Sequence, residues 1–353
     1  MTIRVGLIGL NYGARVHLPV YKAHPKYEVV AVCARTPGRA EKAARENQVA
    51  RAYTDARELI NDQNVDLVSI ASPPGTHAGY AAAALAARKH VVVEIGFVCD
   101  APDARVLAVI AREQKRVGTA AYVLRYTPLL RHVTDLLAAQ PNPMGRLRLM
   151  RFDSFSNFLA RPDQGYRWIW DGKNGGGILW NFTSHAIDLA LRWLGPVREV
   201  DGALTTFARV DLPRSGKLPS RVGLLAKARV QANPPAPADD TGFVTLHFEN
   251  GAIATFSHSA VTAYPRTHLE LHGSEASLLI EGFGDEAALL KMGEEESEPL
   301  FPPPAYLEES RGQSGLEGGF RVFLDRLAIP IEGGEPPADL PTFAQGWEVA
   351  RVL

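Results

Sequence analysis

The chain has 353 residues, 46% of them apolar, enough to build two domains with proper cores. Its 38 basic and 39 acidic residues leave a net charge of −1, which points to neither nucleic acid nor an anionic membrane as a partner. Cys33 and Cys99 are the only cysteines, so there is no disulfide framework and no metal motif, and the longest uncharged span, Leu67 to Ala87, is broken as a membrane span by Pro73, Pro74 and Gly75.

The opening MTIRVGLIGL runs straight into a strand pattern without a cleavage signal, and the expectation is a cytoplasmic protein of a reducing compartment. Short apolar runs follow one another up to about residue 125: IRVGLIGL (3–10), YEVVAVCAR (27–35), VDLVSIAS (65–72), HVVVEI (90–95) and TAAYVLRY (119–126). Helical segments such as GRAEKAARE and HAGYAAAALAAR lie between them. Nearly continuous apolar strands alternating with helices predict a doubly wound parallel sheet covered on both faces, that is, an α/β Rossmann domain over 1–125. From about Gly145 the rhythm changes. One strong helix near 178–194 is followed by antiparallel patterns, with GFVTLHFE and AIATFSHS joined at Asn250-Gly251 as a hairpin. NPPAPADD (233–240) and PLFPPPAY (299–306) read as loops, and Glu294 to Glu296 as solvated surface. Residues 126–353 are therefore expected to form an α+β domain with a large, mostly antiparallel open sheet.

The first strand runs into Gly9-Leu10-Asn11-Tyr12-Gly13-Ala14. A dinucleotide-binding turn has the pattern G-x-G-x-x-G/A, with the helix N-terminus facing the pyrophosphate. Gly9 and Ala14 fit the outer positions, and Asn11 stands at the second glycine, where its tolerance of positive φ and the freedom of Gly13 would help. The plain alternative is a tight β–α turn. After the second strand, where an NAD enzyme commonly carries an acid, stands Arg35, followed by Thr36 and Arg39. A guanidinium there suits a 2′-phosphate, so NADP(H) is expected in preference to NAD(H), unless Arg35 merely opens a helix at the surface.

Several stretches together resemble the Gfo/Idh/MocA oxidoreductase family. They are the glycine turn with Val16-His17-Leu18-Pro19, ASPPGTHAGYA (71–81), VVVEIG (91–96), LRYTP (124–128), GGGILWNFTSHAIDLALRWLG (175–195) and DLPTFAQGWEVARVL (339–353). The resemblance implies a Rossmann domain, an open-sheet domain, and NAD(P)-linked oxidation or reduction of sugars, cyclitols or related carbonyl compounds. It implies a homodimer or homotetramer packed through that sheet, and a final helix cut short at Leu353. It also assigns Ser72, Pro73, Pro74 and His77 to the cofactor, although a strand-to-helix loop capped by Thr76 explains the same residues.

The family pattern after the fifth strand is Glu-Lys-Pro. Here Glu94 remains, but Ile95 and Gly96 replace lysine and proline. Two expectations follow. No ammonium assists proton transfer, and a cis bond before residue 96 is disfavoured, because that form is essentially a proline phenomenon. Ile95 would present an apolar wall to the nicotinamide, and Glu94 would stay with the cofactor.

In the later helix Asn181, His185 and Asp188 make one polar stripe, with Asn181 where the family has aspartate. Loss of both members of a lysine–aspartate pair reads as one coordinated change. His185 is then the expected proton carrier, with Asn181 orienting it, unless it is a histidine satisfied in the core. Arg125 and Trp168, with Tyr122, Tyr166 and Arg167 nearby, are expected to line the substrate cleft, and Lys173 to be an exposed loop lysine. Two functions remain open: an NADP(H)-dependent oxidoreductase, or a nucleotide-binding sensor of the same family that performs no chemistry.

Overall fold

A computed structural model describes residues 2–160, 167–208, 238–312 and 315–353. Tyr166 and most of the proline-rich stretch 233–240 lie outside them.

Six parallel strands make the first sheet: β1 (Ile3–Ile8), β2 (Tyr27–Cys33), β3 (Arg51–Tyr53), β4 (Leu67–Ile70), β5 (His90–Val93) and β6 (Gly118–Ala120), in the order β3-β2-β1-β4-β5-β6. The connections are α1 (Leu18–Ala23), α2 (Arg39–Asn47), α3 (Ala56–Asn61), α4 (His77–Ala86) and α5 (Ala101–Glu113). The chain order reverses between β1 and β4, and at such a switch point a crevice opens beyond the carboxyl ends of the strands. Strands β1, β4 and β5 are buried nearly throughout, as a sheet covered on both faces requires.

The sixth strand is shorter than its apolar run predicts. Its ladder partner is β5, which ends at Val93, while Thr119 also bridges Thr342; beyond Ala120 little of the ladder remains and the chain coils into a tight turn at Val123–Tyr126. After α6 (Pro128–Ala138) comes an eight-stranded sheet. Its strands are β7 (Leu149–Phe155), β8 (Val197–Thr205), β9 (Thr241–Phe248), β10 (Ile253–Ser259), β11 (Arg266–His272), β12 (Ala276–Glu281), β13 (Glu286–Lys291) and β14 (Glu298–Pro299). All its pairs are antiparallel except β7 with β10. The β9–β10 hairpin turns at Asn250-Gly251 as the sequence predicts, with Gly251 in the left-handed region at φ +87°.

Helix α7 (Ser184–Leu194) is preceded by a π-helical turn at Leu179–Thr183. The last helices are α8 (Pro304–Glu309), α9 (Gly315–Ile331) and α10 (Phe343–Val352). Phe320, Phe323, Leu324 and Leu327 of α9 share a core with Ile3, Val5 and Leu7 of β1, so the closing part of the chain returns to the first sheet. A division at residue 125 thus separates the two sheets, while α9 and α10 pack with the first.

Candidate functional site

The crevice beyond β1 and β4 is shaped by close backbone approach. Gly9 ends β1 at φ +98°, and a Cβ there would stand 2.4 Å from the Ala71 carbonyl oxygen, so only glycine fits. Gly13 acts by size alone: a Cβ would meet the side chains of Ala71 and Leu7, each at 3.2 Å, and its φ is not left-handed. Asn11 is not in the left-handed region either. It is exposed, and its Oδ1 accepts a 2.5 Å hydrogen bond from Arg39, whose guanidinium also reaches the Leu10 carbonyl at 2.9 Å. The expected use of positive φ at Asn11 is thus replaced by a side-chain tie to the start of α2. Tyr12 and Ala14 are half-buried, and the turn Gly13–His17 is π-helical. Arg35 and Thr36 lie exposed after β2. A cradle that tolerates only glycine at Gly9, followed directly by a helical turn, fits a dinucleotide pyrophosphate.

The loop after β4 holds Ser72, Pro73 and the buried Pro74. Thr76 does not cap α4. Its hydroxyl donates to the Pro73 carbonyl at 2.8 Å and pairs with Ser72 Oγ at 2.6 Å. His77 is 1% exposed, with Nε2 2.6 Å from the Ser72 carbonyl and Nδ1 2.9 Å from that of Gly96. It therefore spans the loops after β4 and β5, the neutral ring donating its single N–H to one of the two carbonyls. Burial, the largest influence, lowers its pKa.

At the end of β5 the expectation about the peptide bond fails: Ile95–Gly96 is cis. Glycine makes room, since a Cβ would lie 3.0 Å from the Trp180 carbonyl oxygen. The Gly96 N–H, which proline lacks, donates to Asn181 Oδ1 at 3.1 Å. Asn181 Nδ2 donates to the carbonyls of Gly175 at 2.8 Å and Gly177 at 2.7 Å. The amide thus accepts once and donates twice, a combination that a carboxylate cannot supply. Asn181 is 8% exposed, so it holds the turn and offers no free group to a substrate. Ile95 is half-buried against the main core.

Sequence reading missed a buried chain beneath Glu94. His17 Nε2 lies 2.7 Å from Glu94 Oε2, and His17 Nδ1 lies 2.9 Å from Ser69 Oγ. The ring is fully buried and stacked on Phe320 at 4.3 Å. Ser69 was the available signal: a hydroxyl within a buried strand needs a polar partner.

His185, one helical turn beyond Asn181, is half-buried, edge-on to Tyr122 at 5.9 Å. Its Nδ1 is buried without a hydrogen-bond partner among the described residues. Burial pushes its pKa below the usual value, against weaker opposing effects of Glu94 and Asp188. Arg125 departs from the substrate role expected of it. It is 5% exposed, grips both oxygens of Asp188, and donates to the Asp339 carbonyl at 2.7 Å. Trp168 is half-buried in a short turn at Trp168–Trp170, packed on the cluster of Ile169, Trp170 and Ile178. Arg167 lies over the Phe158 ring at 5.0 Å, and Lys173 is exposed.

Residues 3–122 match the family model described as an oxidoreductase family with an NAD-binding Rossmann fold, and residues 138–279 match the GFO/IDH/MocA C-terminal domain. An uncharacterised oxidoreductase of Synechocystis sp. is 28% identical over 280 residues, 79% of this chain and 71% of that protein. Levoglucosan dehydrogenase of Pseudarthrobacter phenanthrenivorans is 25% identical over 293 residues, 78% of this chain and 73% of its own. Myo-inositol 2-dehydrogenase of Thermotoga maritima is 26% identical over 345 residues, 95% and 90% respectively. Among solved structures, levoglucosan dehydrogenase in complex with NADH and levoglucosan has a similar fold, with a TM-score of 0.86 at 22% identity, covering 100% of this chain and 95% of that one.

Proposed function

We propose, on the premise that the chain belongs to the GFO/IDH/MocA family of NAD-binding oxidoreductases, that it oxidises or reduces a sugar, cyclitol or related carbonyl compound with NADP(H) in preference to NAD(H). The bound cofactor supplies a nicotinamide ring that exchanges hydride with the substrate carbon. The chain's residues bind, orient and handle the proton. Gly9 and the helical turn after it receive the pyrophosphate, while Arg35, Thr36 and Arg39 stand where the adenosine ribose and its 2′-phosphate would lie. His185 handles the proton, with Asn181 acting on the site through the Gly96 turn that it anchors. One observation carries this assignment: a half-buried histidine whose Nδ1 has no partner among the described residues sits one helical turn beyond Asn181, which ties the turn before α7 to Gly96 after β5. Exposed Phe243, Leu279, Leu149 and Ile253 on the outer face of the second sheet support a homodimer or homotetramer packed there, in a reducing cytoplasm compatible with two free cysteines.

Fluorescence titration with NADPH and NADH tests the cofactor. NADPH is expected to bind more tightly, and Arg35→Asp to reverse the order. Tighter NADH binding by the unmutated chain refutes the preference. A panel of levoglucosan, myo-inositol and other sugars, aldehydes and imines tests the chemistry. Turnover slowed less than about tenfold by His185→Ala rejects the proton role. Tight cofactor binding with silence across the panel identifies the sensor instead.

A further inference from the structure

Few groups at the floor of the crevice can carry a charge toward a ligand. Asp188 is cancelled by Arg125, and Ile95 and Asn181 carry no charge. Burial favours the neutral form of His185. Among the two residues that follow each of β1, β4, β5 and β6, Glu94 is the only one with an ionisable carboxyl group. Its position is fixed from below by His17, itself pinned between Ser69 and Phe320. The Glu94 side chain keeps 14% of its surface exposed, whereas that of His17 keeps none. The imidazole contacts one carboxylate oxygen, Oε2, and so orients the group. Lysine at position 95 would have supplied the compensating cation, and isoleucine does not.

We propose that Glu94, held by His17, sets the redox-state preference of the nucleotide site, its carboxyl group favouring the oxidised, cationic nicotinamide over the reduced, neutral ring. The inference rests on the reading of the crevice as a nicotinamide-dinucleotide site. A negative group in a partly buried crevice acts over several ångströms with little screening, whereas the neutral ring of the reduced form gains nothing from it. The site then retains the oxidised cofactor, and by linkage the bound reduced form becomes the stronger hydride donor toward a substrate.

Isothermal titration calorimetry on the full chain with NADP+, NADPH, NAD+ and NADH tests this, with thermal unfolding as a check that each variant is folded. Glu94→Gln keeps an oxygen for the His17 N–H and removes the charge. Ile95→Lys leaves the His17–Glu94 contact in place and supplies the cation from beside it. Each variant is expected to lower the affinity for the oxidised form relative to the reduced form by about tenfold, in the same direction. Should Glu94→Gln fail to fold, Ile95→Lys decides alone. A ratio that stays within about twofold in either folded variant overturns the proposal. Absence of binding by all four nucleotides to the unmutated chain overturns instead the reading on which it rests.

Discussion

Replacing Asn181 by aspartate changes one atom pair and tests the construction of the site. Asn181 Nδ2 donates to Gly175 O at 2.8 Å and Gly177 O at 2.7 Å, while Oδ1 accepts from Gly96 N–H at 3.1 Å. Asn181→Asp keeps the acceptor and turns both donations into oxygen facing oxygen. The position is 8% exposed, so water cannot make good the loss. Each buried polar group left without a partner costs about 1–3 kcal/mol, which puts the total for the two carbonyls at about 2–6 kcal/mol. That is a large share of a typical stability of about 5–15 kcal/mol. Urea denaturation followed by circular dichroism at pH 7.5 measures it. A carboxyl forced to remain ionised beside two carbonyls has a folded-state pKa raised above its unfolded value. The penalty is therefore full at neutral pH and shrinks as pH falls, when the protonated group regains one donor. Adding Ile95→Lys to this variant should recover part of the loss by supplying a partner for the new charge. A change below about 0.5 kcal/mol for Asn181→Asp would show that the two glycine carbonyls find other donors and that the amide is not what holds the turn.

Arg125→Met should leave Asp188 buried and unmatched and lower stability by about 3–5 kcal/mol in the same assay, while Arg125→Met with Asp188→Leu should be less harmful than the single change. Equal losses in the two would refute the pairing. Burial, with Arg116 nearby as a lesser cause, pushes the His90 pKa down to about 4, and its Nδ1 accepts from Val117 N–H at 3.1 Å. A histidine depressed in the folded state contributes stability that is present above its unfolded pKa of about 6.5 and lost as pH falls toward 4. His90→Asn should therefore flatten the fall in urea midpoint between pH 7 and pH 4.5, and an unchanged slope would reject the assignment. Gly9→Val should abolish dinucleotide binding in a fluorescence titration, because the added Cβ stands 2.4 Å from Ala71 O. Retained affinity would place the nucleotide elsewhere.

What the sequence made legible was whatever depends on neighbours along the chain. Apolar runs between helical segments placed the strands of the first sheet that they named, and Asn250-Gly251 placed a hairpin, because turn chemistry and periodicity are local. The end of β6 was not legible, since pairing stops where β5 stops and no residue in TAAYVLRY records that. Thr76 had the composition of a cap, but its hydroxyl found the Pro73 carbonyl closer. Gly96 lies 85 positions from Asn181 and Glu94 lies 77 from His17, so no spacing rule connects them. The polar stripe on the later helix was visible as a stripe. That Asp188 answers to Arg125, and Asn181 to three backbone groups, is a property of packing.

The substitutions at Ile95, Gly96 and Asn181 then read differently from the loss of an ion pair. Without an ammonium at position 95, a carboxylate at position 181 would be a buried charge with no match, and the amide removes that charge. The amide also needs a donor facing its oxygen, and Gly96 provides an N–H that proline lacks. A site drifting without function would be expected to collect unpaired polar groups at such a contact. Here Asn181, His77 and His17 are each hydrogen-bonded, and Glu94 is held through one oxygen. His185 keeps its buried Nδ1 without a hydrogen-bond partner among the described residues, as Tyr21 beside His17 keeps its hydroxyl. On the reading proposed above, a substrate would supply the partner that His185 Nδ1 lacks.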